Sequence, residues 1–369
     1  MFQEIIKLRG FYSEDVDVIT KDGYILTLIR MMPTKPTKTK RAVLLQHGLL
    51  DSCHTWINNN NDESLAFILA NEGYEVWLAN SRGSTYSRQH ISLSVDDPKY
   101  WDFSWDEMAE YDMPAMVDEI IKKAKVPYIH YVGHSQGTEI FFAFFGANPE
   151  YNKKVVAMVA LAPIAYLENV KTPIRLIAPF CQSMDVVKEI FGSDAFLPSD
   201  ALITFLASYI CPFTDFTYGV CSNILYLIAG YNKENTIRER IPIYLSHTPA
   251  GTSVKNMVHY CQSIWSYKFH KFDYGTEGNM KKYQSATPPE YSVKKITIPT
   301  SFHYGGKDLL SEVKDVMKLK DKYPFLIEEY DFFYSKYNHL DFVWGKDAHE
   351  KVYPNILRFF ESVAEARNE

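Results

Sequence analysis

Residues 133–137 read Gly-His-Ser-Gln-Gly, directly after a strand-type run, Ile129-His-Tyr-Val, and just before an apolar segment at 140–145. A Gly-x-Ser-x-Gly between strand and helix suits a serine nucleophile, because the sharp turn holds the serine in a strained conformation at the sheet edge. A side chain at either glycine would collide with neighbouring chain. The hydroxyl is a weak nucleophile at its own pKa, so a base must take its proton and a carboxylate must orient that base. In this context the partners follow in the order serine, acid, histidine, which makes them searchable.

After Ser135 the histidines are His247, His259, His270, His303, His339 and His349. Only His339, in Tyr337-Asn-His-Leu-Asp-Phe-Val, follows the last strand-like run and precedes the terminal helical pattern. Asp308, in Gly305-Gly-Lys-Asp-Leu, comes straight after a strand-type run and leaves room for a helix and a strand before His339. It is the preferred acid; Asp341, close to His339 in sequence, and Asp331, inside a strand pattern, are the alternatives. A tetrahedral intermediate needs two backbone donors, one after the nucleophile and one after the third strand. Those are Gln136 and Leu49, the latter in Leu45-Gln-His-Gly-Leu-Leu, where Gly48 lets the backbone turn inward.

The elements that must carry these residues follow from periodicity. Residues 15–32 form two alternating runs about Lys21-Asp22-Gly23, a hairpin by turn chemistry. After a Pro, Lys and Thr loop at 33–41, short apolar runs recur at 42–45, 74–79, 129–132, 155–162 and 298–304, separated by helix-length segments. That alternation predicts a mostly parallel sheet with helices on both faces, and the serine elbow set in it makes the expected class the α/β-hydrolase fold. Met113, Met116, Val117, Ile120 and Ile121 mark one helix face, with Pro114 tolerable only near the first turn. From about 166 the alternation stops and Pro173, Pro179, Pro198 and Pro212 interrupt apolar helical patterns, as in an inserted cap. The pattern resumes at 325–333 and ends in an amphipathic stretch at 347–363 carrying Val352, Ile356, Leu357 and Phe360. The expected organisation is a core in two parts, 1–165 and 293–369, around a mainly helical cap at 166–292; the second part carries the acid and histidine.

Composition narrows the function classes. Of 369 residues, 46% are hydrophobic and 23% charged, globular usage that excludes disorder as the main state. A formal charge of -6 leaves no electrostatic footprint for nucleic acid. No apolar run reaches the ~18 to 20 residues that span a bilayer. Position 353 is tyrosine, which breaks the His-Glu-x-x-His pattern begun at His349, and no cysteine pair has metal spacing. No Gly-x-Gly-x-x-Gly or phosphate loop is present. No metal and no cofactor are therefore expected. The five cysteines, Cys53, Cys181, Cys211, Cys221 and Cys261, permit at most two bridges. The first twenty residues lack the pattern of a secretory signal, and no Asn-x-Ser/Thr site occurs.

The chain resembles the acid lipase family, which contains gastric lipase and lysosomal acid lipase. The matching stretches include Gln46-His-Gly-Leu-Leu, Val76-Trp-Leu-Ala-Asn-Ser-Arg-Gly, Trp105-Asp-Glu-Met-Ala, Gly133-His-Ser-Gln-Gly-Thr, His247-Thr-Pro-Ala-Gly-Thr-Ser-Val and Asn338-His-Leu-Asp-Phe. The resemblance implies hydrolysis of triacylglycerols and cholesteryl esters, often at acid pH, in a secreted or lysosomal setting. It assigns the triad and oxyanion roles to the same Ser135, Asp308, His339, Leu49 and Gln136. It also implies a movable lid at about 199–229 and a lid disulfide between Cys211 and Cys221, while the family's glycosylation sites are missing. The expected partner is a lipid ester at an interface, approached by peripheral contact with lipid droplets or membranes, and the expected state is a monomer. An acyltransferase using the same triad, or an inactive lipid-binding protein, are the competing readings.

Overall fold

In the computed structural model, residues 2–35, 40–172, 175, 193–196 and 229–367 are described. The first alternating runs pair as the antiparallel strands β1 (Ser13–Ile19) and β2 (Tyr24–Met31). Their turn uses Gly23 at φ +96°, a left-handed conformation that costs glycine nothing. The remaining main-sheet strands are β3 (Arg41–Gln46), β4 (Tyr74–Leu78), β5 (Gln89–His90), β6 (Ile129–His134), β7 (Val155–Leu161), β10 (Thr300–Gly305) and β11 (Leu326–Tyr334). Between β7 and β10, the short strands β8 (Ala195–Phe196) and β9 (Thr252–Ser253) pair only with each other among the described residues.

The sheet order is β1-β2-β4-β3-β6-β7-β10-β11, with β5 on β2. From β4 to β11 every pairing is parallel, and β2 meets β4 antiparallel. Strand order reverses at β3, which has β4 on one side and β6 on the other. Open α/β sheets bind ligands at such a switch point, outside the carboxyl ends of the strands. The register Gln46↔Gly133 brings the ends of β3 and β6 level, so the loops after them are neighbours.

Apolar side chains on both faces explain the continuous apolar runs. Every residue of β6 and β7 is buried. Leu44 belongs to a core with Trp105, Met116 and Phe141, while its neighbours Val43 and Leu45 join Leu65, Phe67 and Phe359 on the opposite face.

Two helices depart from the sequence reading, each at a proline. Pro114 does lie in the first turn of Met113–Ala124, but that helix continues an earlier start at Trp105, capped by Ser104 and Glu107. Between them, Met108–Asp112 forms a π-helical turn. Proline offers no N–H and crowds the carbonyl four residues back, and the wider turn accommodates both. The amphipathic stretch at 347–363 divides into Ala348–Lys351 and Tyr353–Ala366 where Pro354 opens the second helix.

The expected Cys211–Cys221 bridge and nearly all of the expected lid lie outside the described residues; Cys53 is a buried free thiol and Cys261 is disulfide-bonded. No helix among the described residues is long and apolar enough to cross a membrane.

Arg82 fastens the hairpin to the π-helical turn. It is 1% exposed, and its guanidinium bonds Asp22 at 2.6 Å and Asp112 at 2.9 Å while lying over Tyr24. Replacing it leaves a buried Asp112 without its cation, so Arg82→Leu is expected to cost about 3–5 kcal/mol in denaturant unfolding. A loss below about 1 kcal/mol would contradict this account of the tie.

Candidate active site

Strand β6 ends at His134, and Ser135 turns at φ +54° and ψ −120° into the helix Gln136–Ala147. The two glycines are fixed by packing. A Cβ on Gly133 would lie 2.9 Å from the Gly137 backbone, and one on Gly137 would lie 2.4 Å from Gln46 O. Ser135 is further held by its N–H, which donates to Leu161 O at 3.0 Å.

The sequence-derived partners converge on Ser135. His339 Nε2 lies 2.7 Å from Ser135 Oγ, and His339 Nδ1 lies 2.8 Å from Asp308 Oδ2. Asp308 follows β10, and its Oδ1 also accepts the N–H groups of Leu310 and Ser311, each at 2.8 Å. A buried carboxylate with two backbone donors and an imidazole N–H has its negative charge well satisfied. Serine and imidazole are only 8% and 4% exposed, so little water competes for the bond between them.

The alternative acids are occupied elsewhere. Asp341 accepts the Asn338 N–H and the Asn232 side chain, both at 2.7 Å, and burial pushes its carboxyl up to about 7. Asp331 pairs with Lys320. Other histidines are similarly engaged: His259 stacks on Trp105, His247 stacks on His54, and His303 bonds Ser301.

Leu49 follows β3 beside the elbow. A Cβ on Gly48 would come within 3.0 Å of Ser135 Cβ, so the two loops touch. Neither Leu49 N–H nor Gln136 N–H donates to another backbone carbonyl outside regular elements among the described residues. Buried His47 braces this loop, donating from Nδ1 to Gly48 O at 2.8 Å and accepting the Ser81 N–H at 3.0 Å. Burial lowers its pKa to about 4 and keeps it neutral. His134 likewise bonds the main chain of His339. Sequence reading missed both imidazoles. The only signals were a histidine in the variable place of Gly-x-Ser-x-Gly and another before Gly48.

A strained serine between a parallel strand and a helix, hydrogen-bonded to a histidine–aspartate pair, defines the chain as an α/β hydrolase. The family models agree: one described as a partial alpha/beta-hydrolase lipase region matches residues 2–60, and one for the alpha/beta hydrolase fold matches 41–184. Human lipase member K is 42% identical over 97% of this chain and 90% of its own length. Human gastric triacylglycerol lipase is 42% identical over 96% and 89%. Human lysosomal acid lipase/cholesteryl ester hydrolase is 39% identical over the same shares. A putative lipase from Sulfolobus solfataricus shares the fold, with a TM-score of 0.60 at 13% identity over 95% of this chain and 99% of its own. The chain belongs to the acid lipase family and is a carboxylic ester hydrolase.

One turn beyond the elbow, buried Glu139 accepts a 2.5 Å hydrogen bond from Tyr260 on Oε2, while Oε1 has no partner among the described residues. Burial pushes its carboxyl up to about 8, and nearby Asp106 adds to the rise. The folded chain therefore keeps this proton up to about pH 8, whereas an unfolded glutamate releases it near 4.5. Raising the pH across that window favours unfolding. Glu139→Gln should accordingly lose several degrees less in Tm between pH 5 and pH 8 than the parent; identical losses would contradict the assignment.

Proposed function

We propose that this protein hydrolyses lipid esters, triacylglycerols and cholesteryl esters, through an acyl-enzyme on Ser135. The observation that carries the reading is the unbroken hydrogen-bonded chain from Ser135 Oγ through His339 to Asp308, at 2.7 and 2.8 Å. Ser135 Oγ attacks the ester carbonyl carbon as His339 Nε2 takes its proton. Asp308 holds the Nδ1–H tautomer and stabilises the imidazolium. In this reading the carbonyl oxygen becomes an oxyanion received by the N–H groups of Leu49 and Gln136. Collapse expels the alcohol with the proton from His339. Water then attacks the acyl carbon as His339 Nε2 takes one of its protons, and collapse passes that proton to Ser135 Oγ as the acyl–oxygen bond breaks and the fatty acid leaves.

The substrate class is supported by the relatives, named as a triacylglycerol lipase and a cholesteryl ester hydrolase. Their gastric and lysosomal names support a secreted or lysosomal setting for this chain as well. In this reading residues 166–292 form the cap and about 199–229 the lid, bridged by Cys211 and Cys221. A monomer then meets its substrate by peripheral contact with a lipid surface.

Ser135→Ala should lower the rate about 10³-fold or more and abolish labelling by a fluorophosphonate. Equal labelling before and after the substitution would overturn the assignment. In a panel of emulsified esters at pH 5 and pH 7.5, long-chain acyl esters should be cleaved. Rates independent of acyl chain length would count against an apolar groove beneath the cap.

A further inference from the structure

We propose that His134 is a positioning residue for the base: its Nε2–H grips the main chain of His339 and keeps the imidazole in line with Ser135. The proposal deepens the triad reading and rests on it. His134 Nε2 lies 2.8 Å from the carbonyl oxygen of His339. A carbonyl only accepts, so the proton is on Nε2 and the ring donates.

The placement of this bond gives it its effect. His134 is the last residue of β6 and the immediate neighbour of Ser135, whose backbone is fixed by Leu161 and by the close packing of Gly133 and Gly137. His339 arrives on a connection 204 residues further along, outside any strand or helix. Its peptide is held on both sides, the N–H by Ala229 O at 3.0 Å and the C=O by His134. Nucleophile and base are thus referred to the same strand end, one through Cα and the other through an imidazole.

The choice of histidine is otherwise unexplained. His134 is 2% exposed, and its Nδ1 has no hydrogen-bond partner among the described residues. An apolar side chain would fill the space between Gly48 and His339 without leaving that nitrogen unsatisfied. The Nε2–H bond is what an apolar residue could not make. Burial also lowers the His134 pKa to about 3, so the ring 5.0 Å from that of His339 adds no positive charge where an imidazolium must form.

The test is a comparison of His134→Gln, His134→Asn and His134→Leu on a soluble p-nitrophenyl ester, with melting curves to confirm folding. Glutamine carries an N–H near the place of Nε2, asparagine's stops a bond short, and leucine has none. With the base released by a fraction of an ångström, H134N and H134L should lose about 10- to 100-fold in kcat with KM within about twofold, and H134Q should recover most of it. Equal kcat for H134Q and H134N, at wild-type level or below, would overturn the proposal. If H134L fails to fold, that pair decides alone. Fluorophosphonate labelling that persists in Ser135→Ala would instead defeat the triad reading, whatever the ranking at position 134.

Discussion

The backbone of Ser135 is the constraint on which the other features of the site depend. A non-glycine residue at φ +54° is costly by roughly 1–3 kcal/mol and persists only where its surroundings over-determine it. Here they do so through contact. Gly137 packs so closely on Gln46 O that a methyl group would overlap it, and Gly133 packs on Gly137 in the same way. The register of β3 against β6 creates the contact of Gly137 with Gln46 and also sets Gly48 beside Ser135. One strand pairing therefore sets the serine at the strand end and brings the Leu49 loop to it.

Asp308 and His339, the proposed acid and base, are then added to this fixed point from the far part of the chain. Asp308 leaves β10, two strands away from β6, already satisfied by two backbone N–H groups. His339 has no regular element of its own and is located by bonds to its neighbours, including Ala229 O and His134. Two buried imidazoles, His47 and His134, support the arrangement. Both are held neutral by burial, so they supply directional N–H and lone-pair contacts without charge. The buried carboxyls of Glu139 and Asp341 are shifted the opposite way and hold protons toward neutral pH.

Much of this was legible in the amino-acid sequence because strand periodicity and glycine spacing are local signals. The parallel strands, the elbow and the positions of Asp308 and His339 after their strands followed from such signals. What stayed hidden depends on partners distant in sequence. Nothing near His134 reveals that it meets a carbonyl two hundred residues away, and nothing near Asp341 reveals that Asn232 occupies it. The π-helical turn before Pro114 and the break at Pro354 are local, yet each is one of several ways a chain can accommodate a missing N–H. Proline marked the places without stating the outcome.

The most direct measurement is a crystal structure of the protein inactivated by a lipid-like phosphonate ester. The account predicts a covalent bond from Ser135 Oγ to phosphorus and the phosphoryl oxygen within about 2.7–3.1 Å of both the Leu49 and Gln136 nitrogens, with His339 still bonded to Asp308. Phosphorus on another residue, or a phosphoryl oxygen turned away from those two nitrogens, would contradict it.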